Sequence, residues 1–158
     1  AADSGVTKDL PNFHRVNENL YRGGQPKDEG FAELKKIGIA TVIDLRGTDD
    51  NSSREKSLAE AAGLRFINIP LDNWGRPANN DIESIIAQIN DPKNQPVFVH
   101  CNRGSDRTGT VIAVYRITHD GWSGKQASDE ANEFGLGWWQ VWMKGYIADY
   151  SRDRGQNK

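Results

Sequence analysis

One cysteine, three histidines and one methionine stand among 158 residues, and these scarcities remove whole classes of protein. A lone thiol, Cys101, permits no intrachain disulfide framework. His14, His100 and His119 lie scattered, without the spacing by which histidine and cysteine clusters hold a metal, so no metal site and no cofactor are expected. No apolar run is long enough to span a bilayer. Neither sign of charge dominates: 20 basic against 22 acidic residues leave −2, with an isoelectric point near 5.9. That balance argues against a general binder of nucleic acid or of anionic membranes. Repeats, low-complexity tracts and linkers are missing too. With 36% apolar and 27% charged positions, the chain reads as one domain with a fair-sized core.

What is present alternates. Residues 12–25 mix Phe13, Val16, Leu20 and Tyr21 with Arg15, Arg22 and a Gly23-Gly24 turn, which suggests an initial strand or two. Pro26 opens a helix with Phe31, Leu34 and Ile37 on one face and Gly38 past its end. A strand at 40–45, a helix reaching about Ala62 and a strand at 65–70 follow. The turn-rich stretch 71–79 then leads to a helix with Ile82, Ile85, Ile86 and Ile89 inward. Ser123 and Gln126 fit a capping box, and a last helix is expected over 138–150, with its tryptophans and Trp122 packed against the domain. The expected fold is α/β: a central, twisted, largely parallel sheet flanked by helices. Residues 1–11 are expected as a flexible segment, 12–150 as the domain and 151–158 as a polar tail. The small, polar start Ala1-Ala2-Asp3-Ser4-Gly5 reads as a mature end left by signal-peptide cleavage or as an arbitrary boundary, with an exported protein the preferred expectation.

The chain is organised around residues 97–110. An apolar, β-branched run ending at Val99 passes through His100-Cys101-Asn102-Arg103-Gly104-Ser105-Asp106-Arg107-Thr108-Gly109 into Val111-Ile112-Ala113-Val114-Tyr115, whose apolar residues recur at helical spacing. This is strand, tight loop, helix. A helix starting near Thr108 aims unpaired N–H groups and its positive end into the loop, which makes an anion site. Gly104 supplies the positive φ or close backbone approach needed by a loop that wraps a phosphate. A thiol held there ionises readily, because a helix N-terminus and a neighbouring guanidinium favour the anion. Arg107 offers a planar fork for two phosphate oxygens.

This ordered set resembles the signature of the cysteine-dependent protein tyrosine and dual-specificity phosphatases. With Asn12-Phe13-His14-Arg15-Val16, Leu20-Tyr21-Arg22, Asp44-Leu45-Arg46 and Gly121-Trp122-Ser123, the chain is similar to small bacterial dual-specificity-type members from about Asn12 to about Tyr150. The resemblance implies metal-free hydrolysis through a phosphocysteine. Cys101 is then the nucleophile, and Arg107 with the loop N–H groups of Asn102, Arg103, Gly104, Ser105 and Asp106 holds the phosphoryl oxygens. Thr108 is expected to donate a hydroxyl hydrogen bond to the sulfur, and His100 to order the loop rather than act as a base. The family's general acid lies on a loop a few tens of residues before the cysteine, which points to Asp72. Asp106 is the alternative, because an aspartate directly before the signature arginine is similar to phosphoinositide phosphatases.

Trp74, Arg76, Arg15 and Arg22 are candidates for contacting substrate. Three functional classes follow. The first is hydrolysis of inositol polyphosphates, as in phosphatase-like phytases, favoured by Asp106, Arg103 and the expected export. The alternative is a phosphotyrosine or dual-specificity protein phosphatase. The third is a phosphate-binding module without turnover, against which the joint presence of Cys101, Arg107 and Thr108 argues. Expected partners are thus a small phosphorylated molecule or a phosphotyrosine protein, with no nucleic acid and no membrane span, and the expected state is a monomer.

Overall fold

The computed structural model describes residues 8–72 and 75–156. In chain order its elements are β1 (His14–Asn17), β2 (Leu20–Gly23), α1 (Gly30–Ile37), β3 (Thr41–Asp44), α2 (Asp50–Ala61), β4 (Arg65–Asn68), α3 (Asn79–Asn90), β5 (Val97–His100), α4 (Arg107–His119), α5 (Gly124–Glu133) and α6 (Val141–Gln156). The strands form one sheet in the order β1-β2-β5-β3-β4, in which β1 alone runs antiparallel to its neighbour. This is the α/β, largely parallel architecture expected from the alternation of elements.

Side chains alternate across a strand, so the sheet faces two ways. Leu20, Ile43, Val97 and Val99 pack with Ile82, Ile85 and Ile89 of α3 and Val111 and Ile112 of α4. Tyr21, Val42 and Phe98 pack on the other face with Phe31 and Leu34 of α1 and Ala59 of α2. A third cluster joins Ala113 and Ile117 of α4 to Ala127 and Ala131 of α5 and Met143 and Ile147 of α6. Helix α4 is therefore covered on nearly every side, as a helix without a single apolar stripe must be. The parallel registers set Gly23 beside His100, His100 beside Asp44, and Asp44 beside Asn68. Four strands thus end on one line, and the loops beyond that carboxyl edge are where open α/β sheets bind ligands.

Local chemistry explains the helix boundaries. Gln126 N donates to Ser123 Oγ at 3.1 Å and Ser123 N to Gln126 Oε1 at 2.9 Å, completing the capping box of α5. Asp49 and Ser52 form the corresponding box for α2.

Several expectations are corrected. The first helix begins at Gly30 rather than at Pro26, because Lys27 N bonds to Asp9 O at 3.0 Å and residues 26–29 turn against the N-terminal segment. Within the expected flexible segment 1–11, the described end is anchored to the domain: Leu10 is buried and Pro11 O accepts from Gly24 N at 3.0 Å. The expected polar tail is helical as far as Gln156, with Arg152 bridged to Asp149 one turn earlier. The tryptophans of this region do not pack against the domain as expected. The last helix starts at Val141 rather than at 138, so Trp138, 81% exposed, and Trp139, also exposed, precede it, and Trp142 is exposed because the buried stripe of α6 falls on Met143, Tyr146 and Ile147. Trp122, by contrast, does pack as expected, half-buried against the cluster of α4, α5 and α6 and beneath Arg116.

Ser123→Ala should lower the unfolding free energy by about 1 kcal/mol, the usual worth of an N-cap side chain. Urea denaturation checks this, with Gln126→Ala destabilising in the same direction through the reciprocal bond.

Candidate active site

β5 delivers His100 and Cys101 to the sheet edge, and α4 begins six residues beyond the thiol at Arg107. The unpaired N–H end of this 13-residue helix faces back into the intervening loop. Above the loop lies a cavity of about 50 Å³, the scale of one small anion, whose described lining is Cys101, Asn102, Arg103, Asp106 and Arg107.

The loop's carbonyls explain the cavity. A trans peptide holds its C=O and the following N–H on opposite sides. Cys101 O accepts from His100 Nδ1 at 3.2 Å and Asn102 O from Gln25 N at 2.9 Å. Arg103 O accepts from Asn12 Nδ2 at 3.0 Å and Gly104 O from Arg22 Nη2 at 3.2 Å. Successive carbonyls are thus pinned to the scaffold, and the N–H groups of residues 102–105 are turned the other way. Among the described residues, none of the N–H groups of 102–107 donates to a protein acceptor. A run of unspent N–H groups with a helix end behind it is an anion nest. The close fit requires glycine: Gly104 has φ +81°, and a Cβ there would stand 2.5 Å from Gly23 C. A Cβ on Gly24 would stand 3.0 Å from the carbonyl oxygens of Asn102 and Arg103.

His100 is held in turn. It is fully buried, and its Nε2 bonds to Glu55 Oε2 of α2. A carbonyl only accepts, so Nδ1 carries the proton donated to Cys101 O. Glu55 Oε1 accepts from Gln25 Nε2 at 2.6 Å and faces Arg46 Nη2 at 3.4 Å. Asp44 Oδ1 accepts from Arg46 N at 2.9 Å. Burial, above all, raises the Asp44 carboxyl above its ordinary range, and Glu55 pushes the same way, against His100 and Arg46. Ligand atoms of Asp44, Glu55 and His100 lie within 4.8 Å of one another, a gathering that the spacing of the histidines did not foretell. Glu55 bonds to His100 and Gln25, whereas Asp44 is held by Arg46 and stands 3.9 Å from His100 Nε2.

The other candidates divide. Arg107 is half-buried at the cavity wall, and its Nε is buried without a hydrogen-bond partner among the described residues. Ser105 is buried within the loop. Thr108 Oγ1 is buried and makes no hydrogen bond among the described residues, so the expected bond to sulfur is not formed; α4 starts one residue earlier and turns Thr108 into its packed first turn. Asp106 is buried with both oxygens occupied: Oδ1 accepts from Gly137 N at 3.0 Å, and Oδ2 from Arg103 Nη2 at 2.9 Å and Gln140 Nε2 at 3.3 Å. This is the pattern of an acceptor that fastens the loop to the α5–α6 connection. Arg103 also lies over the ring of Trp139, 5.4 Å from its centroid, so an aromatic surface adjoins the cavity.

Asp72 is exposed on the segment between β4 and α3, outside the described lining, with Oδ2 3.4 Å from where a Cβ on Gly75 would stand. Trp74 lies outside the described residues. Arg76 does not reach the cavity. It pairs with Asp149 at 2.9 Å and covers Tyr146, in a separate groove of about 480 Å³. Arg15 is exposed on the edge strand β1 and does not line the cavity either. Arg22 is 2% exposed and lies beneath the loop rather than at its mouth, because both faces of β2 are covered. Asn12, Gln25 and Glu55 were missed by sequence reasoning. The Gly23-Gly24 pair was the available signal that another backbone approaches there.

A family model described as DSP-PTPase phosphatase fused to NAD+ kinase matches residues 6–137. Over 127 residues the chain is 28% identical to the dual specificity protein phosphatase TpbA of Pseudomonas aeruginosa, an overlap of 80% of this chain and 56% of TpbA. The chain thus spans little more than half the length of that relative. The crystal structure of TpbA superposes with a TM-score of 0.75 at 26% identity, over 92% of this chain and 91% of the other. An inositol diphosphatase of Arabidopsis thaliana is 29% identical over 158 residues, covering 94% of this chain and 74% of its own. The core catalytic domain of the PP-IP phosphatase SIW14 from S. cerevisiae shares the fold, with a TM-score of 0.80 at 22% identity over 94% and 90% of the two chains.

Glu55→Ala should strip His100 of its buried hydrogen-bond partner and cost about 1–3 kcal/mol, the usual penalty for leaving a buried polar group unsatisfied. Glu55→Gln, which keeps an acceptor oxygen, should recover part of it. Thermal and urea unfolding of both variants check the difference.

Proposed function

The chain belongs to the DSP-PTPase phosphatase family, and from that premise we propose that it hydrolyses phosphomonoesters through a phosphocysteine on Cys101, without a metal. One observation carries the reading: outward-pinned carbonyls leave a ring of unspent N–H groups around the thiol, with Arg107 beside it. Equatorial phosphoryl oxygens bearing charge in the transition state suit such a ring. In the first step a lone pair of the Cys101 thiolate forms the S–P bond. The P–O ester bond breaks, and the leaving oxygen takes a proton from a general acid. In the second step that acid, now a carboxylate, accepts a proton from water as its oxygen attacks phosphorus. The S–P bond breaks, thiolate is restored and inorganic phosphate departs.

Asp72 is the proposed acid. It stands on a loop at the carboxyl edge of the sheet, and catalytic groups on loops often close only on substrate. Asp106 is the poorer choice, because donors already hold both of its oxygens. Thr108, with a buried hydroxyl still lacking an acceptor, is proposed to turn it towards sulfur when the thiolate leaves phosphorus.

For the leaving group, an aryl phosphate such as phosphotyrosine is the first reading. The cations that a polyphosphorylated ring would need are dispersed: Arg22 is under the loop, Arg76 is paired with Asp149, and Arg15 is on the edge strand. Beside the cavity stands Trp139 instead, and a structure of TpbA in complex with pTyr, 25% identical, supports the same choice. Inositol polyphosphate is the second reading, supported by the Arabidopsis relative and by the Arg103 side chain, 52% exposed at the cavity.

Cys101→Ser should abolish turnover while inorganic phosphate still binds, and wild-type activity should survive chelators. Activity in the serine variant, or loss to chelator reversed by zinc or magnesium, would sink the mechanism. Asp72→Asn should slow alkyl phosphates by roughly a hundredfold or more and aryl phosphates much less, since a good leaving group needs little protonation. That selectivity appearing in Asp106→Asn instead would transfer the role. A panel of phosphotyrosine peptides against inositol polyphosphates decides the substrate: Trp139→Ala should raise KM for the peptides, and Arg103→Ala should affect the inositol phosphates most.

A further inference from the structure

We infer that Arg22 is a positioning residue of the phosphate loop: a buried, incompletely compensated guanidinium that turns the Ser105 N–H into the cavity and holds negative charge there, on Cys101 and then on the phosphoryl group. The inference rests on the reading of Cys101 as the nucleophile.

The geometry starts on β2. Arg22 sits on a strand whose residues are all buried, and its side chain runs beneath the loop. Nη2 donates to Gly104 O at 3.2 Å. The Gly104–Ser105 peptide is planar, so holding that carbonyl downward aims the Ser105 N–H upward. Nε and Nη1 are buried and find no acceptor among the described residues. Phe134 covers the guanidinium, with its centroid 4.5 Å from Cζ. A ring face suits a cation but accepts no ordinary hydrogen bond.

The surroundings leave the charge underpaid. Nη2 stands 3.8 Å from where a Cβ on Gly109 would be, against the first turn of α4, whose dipole presents positive charge. The carboxylate that acts most on Arg22 is Glu130 of α5. Glu130 is engaged elsewhere: both its oxygens take hydrogen bonds from Arg116 at 3.0 Å. Arg116 itself repels Arg22, and Cys101 is the other attracting group. Burial, the largest cause, and Arg116 bring the guanidinium down from its ordinary value to about 10, against Glu130 and Cys101. A cation whose folded value is depressed binds its proton less well when folded, so at neutral pH it weakens the fold. An anion in the loop relieves that. The same strand position that weakens the empty protein therefore favours thiolate and phosphate.

A structural arginine and this one differ in what their removal does. Arg22→Met keeps the length of the side chain and removes the charge. It should raise Tm in phosphate-free buffer, slow alkylation of Cys101 by iodoacetamide at neutral pH by roughly tenfold, and erase most of the Tm rise produced by inorganic phosphate, as linked binding requires. Arg22→Lys keeps the charge without the planar fork, so it should alkylate at nearly the wild-type rate yet lose part of the phosphate response. Unchanged alkylation and an unchanged phosphate response in Arg22→Met would overturn the inference. So would loss of the folded state in that variant, since a cation required for folding is a structural one. A wild-type protein that shows both responses but turns over no phosphomonoester would sink the proposed function and leave the role of Arg22 intact.

Discussion

The structure depends on where four carbonyl groups point. Those of residues 101–104 are each claimed by a donor outside the loop: the ring of His100, the backbone of Gln25, the amide of Asn12 and the guanidinium of Arg22. Planar peptides convert that outward grip into inward N–H groups, and α4 adds its own. Release of a carbonyl would let its peptide rotate, putting an oxygen where an anion must sit. The donors come from the turn before β1, from β2 and the turn after it, and from β5, so the sheet has to be assembled before the nest exists. Glu55 extends the dependence to α2, because it holds His100 and Gln25 together.

Charge in this region is arranged in two tiers. Beneath the loop lie Arg22 and the Glu55–His100 pair, buried and out of reach of solvent ions. At the mouth lie Arg103 and Arg107, one paired with Asp106 and the other beside the thiol. Interactions in the lower tier are little screened by salt, whereas those of the mouth weaken as ionic strength rises. Asp106 links the tiers mechanically, since the carboxylate that restrains Arg103 also fixes the backbone at Gly137 and so the exposed tryptophans that follow.

Much of this was legible in the chain. Strand, loop and helix around Cys101 could be read because β-branched alternation, the glycine and the helical spacing all agree over one short stretch. The capping box at Ser123 was legible for the same reason: its chemistry is local. Side-chain direction was not. Arg22 and Arg15 looked equivalent in sequence, yet one lies on a strand covered on both faces and the other on the sheet edge. Arg76 was placed near the acid by sequence proximity, but Asp149 on α6 draws it into another groove. Trp138, Trp139 and Trp142 were expected against the domain as part of a helix starting at 138, whereas α6 starts at Val141. The register of α6 gave the interior to Met143, Tyr146 and Ile147 instead. Asn12, Gln25 and Glu55 act across 30 to 91 residues of chain, and no local pattern marks such partners.

The pressing of Gly104 onto Gly23 and Gly24 has a consequence for how such loops can be transplanted. A designer who copied residues 100–109 onto another strand and helix would carry over the thiol and the arginine but not the floor beneath them. On a host with a side chain where Gly24 lies, the loop could not settle to the same depth. On a host without the outside donors, its carbonyls would turn to water or inward. The unit of inheritance is therefore two neighbouring parallel strands with their following turns, one providing the reactive decapeptide and the other the smooth bed on which it rests.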